Sequence, residues 1–322
     1  MSFSSRVKEE LAGHVSKARH CRLAELAAIL GVCGRIRLNP PCIEVQSESS
    51  AVVKKVFTLL QKTYNINTNV SFRHGRNGSK FKQYTVSLLE PEAVRRVLMD
   101  IGFLREVDGI WRYDPIVTQE SVQQACCRKA YIRGAFLAGG SINDPQKNYH
   151  IEFLSEDAEH AKLLQQLLRS FEIESRVLER VRPSKRMVYV LYLKNGEQII
   201  DVLSVMKAHI SLMELENVRI VKDVRNKINR QVNCETANLN KTINASVKQI
   251  NDIQYLMDHG AFSWLPPELI QMAQVRLDNE DSPLKDLGQL LNPPVSKSGV
   301  NHRLRKLSQL ADDLRRKNHE ME

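Results

Sequence analysis

Apolar positions in "RLAELAAILGVCGRI", from Arg22, recur at helical spacing (Leu23, Leu26, Ala27, Leu30), and the pattern stops at Gly34. A turn at Pro40-Pro41 follows, then a short strand, "CIEVQSES", and a second helix, "SAVVKKVFTLLQKTYNI". Two alternating segments, "TNVSF" and "YTVSLL", are joined by a basic loop containing glycine and predict a hairpin. A third helix, "PEAVRRVLMDIGFL", closes the unit.

From Arg128 the same order returns. The helix "RKAYIRGAFLAGGSI" stops at Gly139-Gly140, its turn contains Pro145, and "YHIEFLSE" aligns with "CIEVQSES" so that Ser155 matches Ser47. The helix "DAEHAKLLQQLLRSFEI", the strands "SRVLERV" and "MVYVLYL", and the helix "GEQIIDVLSVMK" complete the copy. Interleaved helices and hairpins predict an α+β fold with antiparallel sheets, built as a pseudo-symmetric pair. Small residues in the two opening helices let their backbones approach, which predicts packing along a central axis.

After Lys207 the pattern turns to long helix, with no Pro or Gly from Gly196 until Gly260, and it includes the Asn-rich "NRQVNCETANLNKT". Those polar side chains suit contacts to nucleic acid or to a neighbouring helix, or a helix break that caps the next segment. Beyond Pro267, one helix is expected to end near Asp278. "SPLKDLGQLL" predicts another, with Ser282 as N-cap and Pro283 at its first position. A turn at 292–294 leads to Ser296, a further N-cap, and to "KSGVNHRLRKLSQL". Two short helices around a brief turn make a helix-turn-helix. Val300, Leu304 and Leu307 should face its core, leaving Ser298, His302 and Arg305 outward, with Asn301 and Arg303 beside them. The expected organisation is a duplicated domain at 1–210 with halves near 20–105 and 126–207, a helical connector at 211–260, and a helix-turn-helix domain at 261–322.

Charge adds a partner to this picture. A net charge of +10 favours a polyanion. No acid lies between Asp286 and Asp312, whereas Lys297, Arg303, Arg305 and Lys306 do, so this helix is suited to double-stranded DNA. The stretch between Ser49 and Leu89 holds Lys54, Lys55, Lys62, Arg73, Arg76, Lys80 and Lys82 without an acid, and four of these bracket a Gly-rich loop. Arg73, Arg76, Lys80 and Lys82 form a candidate phosphate-tracking set. The six cysteines include no C-x-x-C pair, and the adjacent Cys126-Cys127 is poor zinc geometry, so packed thiols and no metal or cofactor are expected. With no signal peptide and no membrane-length apolar run, a cytoplasmic, nucleoid-associated monomer is expected.

An opening helix that ends in a Gly-Ser-Ile step before a sheet resembles the LAGLIDADG homing-endonuclease fold, in which each of two helices delivers a carboxylate to divalent metals. Laid on "GAFLAGGSI", the acid's place falls on Gly139; in "LGVCGRI" it falls on Cys33. Neither offers the hard oxygen ligand that Mg2+ chemistry needs, which predicts loss of cleavage. Asp144, Glu44 and Glu152 lie nearby as ordinary turn and strand residues, and would have to act for a residual metal-dependent endonuclease to survive.

"RGAFLAGGSI", "NRQVNCETANLNKT" and "VSKSGVNHRLRKL", in that order, resemble the bacterial WhiA family over essentially the whole chain. The resemblance implies a DNA-binding transcriptional regulator without nuclease activity, linked to cell division and chromosome segregation, and to sporulation in some relatives. Transcription or division proteins would be its further partners. An interaction protein with incidental DNA contact is the reading from another class.

Overall fold

A computed structural model describes residues 1–74, 82–117, 122–182 and 186–319. The chain divides into two compact units, Met1–Lys222 and Asp223–Glu322.

The first unit opens with α1 (Phe3–Gly13), whose first turn is capped by Ser2. One copy of the repeat follows: α2 (Arg19–Cys33), β1 (Gly34–Leu38), β2 (Pro41–Ser47), α3 (Ser50–Tyr64), β3 (Asn69–His74), β4 (Lys82–Leu88) and α4 (Pro91–Asp100). A small hairpin, β5 (Leu104–Val107) and β6 (Ile110–Tyr113), separates it from the second copy. That copy is α5 (Ala125–Gly139), β7 (Gly140–Ile142), β8 (Ile151–Ser155), α6 (Ala158–Arg169), β9 (Arg176–Val181), β10 (Met187–Leu193) and α7 (Gly196–Met206). The two antiparallel sheets have equivalent orders, β1-β2-β4-β3 and β7-β8-β10-β9. Ser47 and Ser155 hold corresponding places, opposite Tyr84 and Tyr189.

Each copy has one more strand than the sequence predicts. β1 and β7 start at the residue after their helix, where the backbone becomes extended at Gly34 and Gly140. Their short runs, "GRIRL" and "GSI", carry too little alternation to register as strands.

The opening helices pack directly against each other. A Cβ at Gly134 would lie 2.4 Å from the Glu25 carbonyl oxygen, so the two backbones touch at a point only glycine allows. Beside it Arg133 donates from Nε and Nη2 to the two oxygens of Glu25 at 2.7 and 2.9 Å. Lys55 on α3 completes the cluster, its Nζ 2.8 Å from the same carboxylate. All three side chains are buried. Lys55 therefore does not belong to the basic surface in which its neighbours in sequence placed it: a buried Glu25 draws it inward. Nor do the vicinal Cys126 and Cys127 stand alone, because the start of α2 brings His20 and Cys21 to them.

In the second unit, α8 begins in the first and runs His209–Asp258 as one helix of 50 residues. The stretch at 229–242 lies inside it, exposed throughout, and does not break it. After a short 3-10 turn come α9 (Pro267–Asp278), α10 (Leu284–Leu290) and α11 (Lys297–His319). Their core joins Ile253 and Leu256 of α8 to Leu269, Met272, Leu287, Val300, Leu304 and Leu307. Ser282 is not the N-cap of α10; that position falls on Pro283, because the helix starts one residue later. Ser282 instead accepts from buried Arg276 through its carbonyl, at 2.8 Å.

Replacing Gly134 by Ala should destabilise the first unit by about 1–3 kcal/mol, since neither contacting backbone can yield freely. A lowered urea midpoint checks this, against Gly13→Ala as control, where nothing lies within 4 Å.

A second prediction concerns pH. Buried His160 sets Nδ1 3.0 Å from the Ser155 hydroxyl, and burial lowers its pKa from 6.5 to about 4, although Asp157 opposes this. The unfolded chain therefore takes the proton first, and stability falls as pH drops from about 6.5 to about 4. His14 acts in the same direction, its pKa lowered to about 4 by burial and then by Arg133, Lys207 and Lys55. In His160→Asn, proton uptake on unfolding in that window should fall by up to about one per chain, as read from the pH dependence of the urea midpoint.

Candidate nucleic-acid interface

The end of the central helices in the first unit is where the metal-binding carboxylates of a LAGLIDADG-like pair would sit. At Gly139 there is no room for one. A Cβ there would lie 2.7 Å from the Leu154 carbonyl oxygen and 2.8 Å from Val32 Cγ1. At Cys33 burial pushes the thiol up to about 12, with Lys8 opposing, and its Sγ donates to the Ile29 carbonyl at 3.3 Å. A neutral thiol spent on its own helix is a poor ligand for a hard ion.

The nearby acids have other engagements. Glu152 accepts from the Ser141 hydroxyl at 3.0 Å, and Asp144 accepts from the Gln146 amide at 2.9 Å in a turn. Glu44 sits across from Arg35 in the β1–β2 pairing. Among the described residues, these acids take part in no group of three or more ligands close enough to share an ion.

The sheets offer cations instead. Strand alternation puts Arg35 and Arg37 of β1 on the face that also carries Gln46, Gln83 and Arg73. Arg73 is exposed on that face opposite Gln83, which donates to Gln46 at 3.1 Å. Lys82 is exposed at the start of β4 on the alternate face, and Arg76 and Lys80 lie outside the described residues. In the second sheet Arg176 and Arg180 take the corresponding face. Arg35 and Arg37 were missed in the sequence because β1 was missed, its five residues being too few for their alternation to register.

In the second unit the helix-turn-helix is α10, a turn, and α11. Gly288 makes the turn possible: a Cβ there would lie 2.2 Å from the Val295 carbonyl oxygen, and Val295 N–H donates to the Gly288 carbonyl at 2.9 Å. Ser296 caps α11, its Oγ accepting from the Gly299 amide at 3.3 Å. Val300, Leu304 and Leu307 are buried against α9 and α10, which turns the opposite side of α11 to solvent.

Along that side Lys297, Ser298, Asn301, His302, Arg305 and Lys306 are exposed. Ser298, Asn301, His302 and Arg305 follow helical spacing and share one face over two turns. Arg303 departs from the rest: it is mostly covered and donates to Glu268 of α9 at 3.2 Å, which links α11 to α9. Lys285, exposed in the first turn of α10, is a cation that the sequence reading passed over because it precedes the acid-free stretch.

The order of these parts matches known proteins. The family model described as the WhiA N-terminal LAGLIDADG-like domain matches residues 19–104, the WhiA LAGLIDADG-like domain matches 128–225, and the WhiA C-terminal HTH domain matches 228–311. A relative named "Probable cell division protein WhiA" from Lachnoclostridium phytofermentans is 45% identical, covering 98% of this chain and 100% of its own. One of the same name from Alkaliphilus metalliredigens is 41% identical, covering 97% and 98%. The crystal structure of full-length DUF199/WhiA from Thermatoga maritima shares the fold at a TM-score of 0.59 and 22% identity, covering 97% of this chain and 99% of that one.

Proposed function

The chain belongs to the WhiA family, and from that premise we propose that it is a sequence-specific regulator of transcription that binds duplex DNA and does not cleave it. One observation carries the reading. The outward side of α11 presents Ser298, Asn301, His302 and Arg305, with Lys297 and Lys306 at its edges.

An arginine reaches the two acceptors of guanine with its paired donors, and an asparagine reads adenine in the same way. Arg305 and Asn301 are the residues for base edges. Lys297, Lys306 and Lys285 take phosphates and set the register, with Ser296 and Ser298 at the helix start. The packing of Val300, Leu304 and Leu307 against Leu269 and Met272 holds α11 on α9, with Arg303 and Glu268 paired beside it.

The sheet faces of the first unit, with Arg35, Arg37, Arg73 and Lys82, supply further phosphate contacts, to which Arg76 and Lys80 would add. The steric closure at Gly139 and the neutral thiol at Cys33 support a chain that does not cleave. The relatives' names point to cell division as the process regulated, and chromosome segregation and, in some relatives, sporulation belong to the same reading. Binding of duplex DNA would bring the protein to the nucleoid.

Selection from a random duplex pool, followed by sequencing, tests this. The wild type should enrich one motif, and Arg305→Ala should lose preference at one position by roughly tenfold to a hundredfold. Lys306→Ala should weaken all sequences alike and reduce the salt slope by about one. Equal enrichment by wild type and Arg305→Ala would remove α11 as the reading element.

A further inference from the structure

The first turns of α2 and α5 bring together four residues that the sequence gives no reason to pair. His20 and Cys21 occupy the second and third positions of α2; Cys126 and Cys127 occupy the same positions of α5. One ligand atom from each lies within 4.8 Å of every other. His20 Nδ1 is 3.1 Å from Cys127 Sγ and 3.4 Å from Cys21 Sγ.

We propose that His20, Cys21, Cys126 and Cys127 form a zinc site that clamps the starts of the two central helices. Three thiolates and an imidazole are a structural zinc set, and they discriminate against the hard ions that the opposite end of these helices would once have held. A tetrahedral ion with bonds of about 2.0–2.3 Å spaces its ligands roughly 3.5–3.8 Å apart. Movements on the order of 1 Å in first-turn side chains close the site to that geometry.

Adjacent residues diverge by about 100° around a helix, so Cys126-Cys127 alone makes a poor chelate. Two helices meeting at their N-termini remove that obstacle, because each contributes a pair. This tertiary pairing is what the spacing of the cysteines conceals.

The surroundings favour an anionic complex. Both helix N-termini direct their positive ends at the sulfurs. Lys17, Lys129 and Arg133 line the adjoining cavity, together with Cys21 and Cys126. Zinc with three thiolates and a neutral imidazole carries one net negative charge, which Lys17 and Lys129 offset. On binding, Zn2+ replaces up to three thiol protons, which leave to solvent. Cys21 and Cys127 are buried, while His20 and Cys126 are exposed and give the ion its way in.

The test uses the full-length chain, stripped of metal under reducing conditions and titrated with Co2+ and then Zn2+. One Co2+ per chain should bind with thiolate-to-metal charge transfer and tetrahedral d–d bands, and one Zn2+ should displace it. Cys126→Ser, at an exposed position, should fold by circular dichroism and lose stoichiometric binding, whereas Cys234→Ser, exposed on α8, should retain it. Two results overturn the proposal. One is a reduced, folded wild type that binds no more metal than Cys126→Ser. The other is freshly isolated protein that carries no zinc and has Cys21 in a disulfide with Cys126 or Cys127, seen as an intact mass lighter by two hydrogens.

Discussion

The first unit depends on the contact of α2 with α5 at Gly134, where one backbone rests on the other beside a buried carboxylate. Glu25 is held by the paired donors of Arg133 and by Lys55, so the helices are joined by packing and by charge at the same level. Removing one member of such a cluster leaves an uncompensated buried charge, which typically costs about 3–5 kcal/mol. The arrangement is therefore directional: it fixes rotation and register of the pair as well as its separation. Burial holds the Lys55 ammonium below its ordinary range against the pull of Glu25. From this axis the two sheets take equivalent places, because each leaves its helix at once through Gly34 and Gly140.

The repeat was legible in the sequence because its long helices and hairpins have strong periodicity, and because "CIEVQSES" and "YHIEFLSE" align. The opening strands were not, since three to five residues with glycine give no clear period. Lys55 reads as a surface cation in "VVKKVF", and only the fold shows that Glu25, thirty residues earlier in sequence, needs it. Arg133 was hidden in the same way within an apolar run. The outward face of α11 was readable from Val300, Leu304 and Leu307, since their helical spacing puts all three on one side. The pairing of Arg303 with Glu268 was not, because the crossing of α9 and α11 decides it.

The central helices retain the means of bringing two copies together, while the places for catalytic acids are closed by backbone at Gly139 and by a neutral thiol at Cys33. Cations on the sheets and on α11 suit binding of a phosphate backbone, which is independent of cleavage. On the proposed reading, loss of two ligands removes hydrolysis without removing the surface that suits a phosphate backbone. A family named for cell division, carrying a helix-turn-helix beside such a domain, accords with DNA recognition without DNA breakage.

Incubation of supercoiled plasmid with the full-length chain and Mg2+ or Mn2+, under conditions where a mobility shift shows the plasmid bound, tests that separation most directly. The account predicts a bound plasmid that remains supercoiled after the protein is removed. Nicked circles that increase with protein and metal, and that disappear in Glu152→Gln, would contradict it.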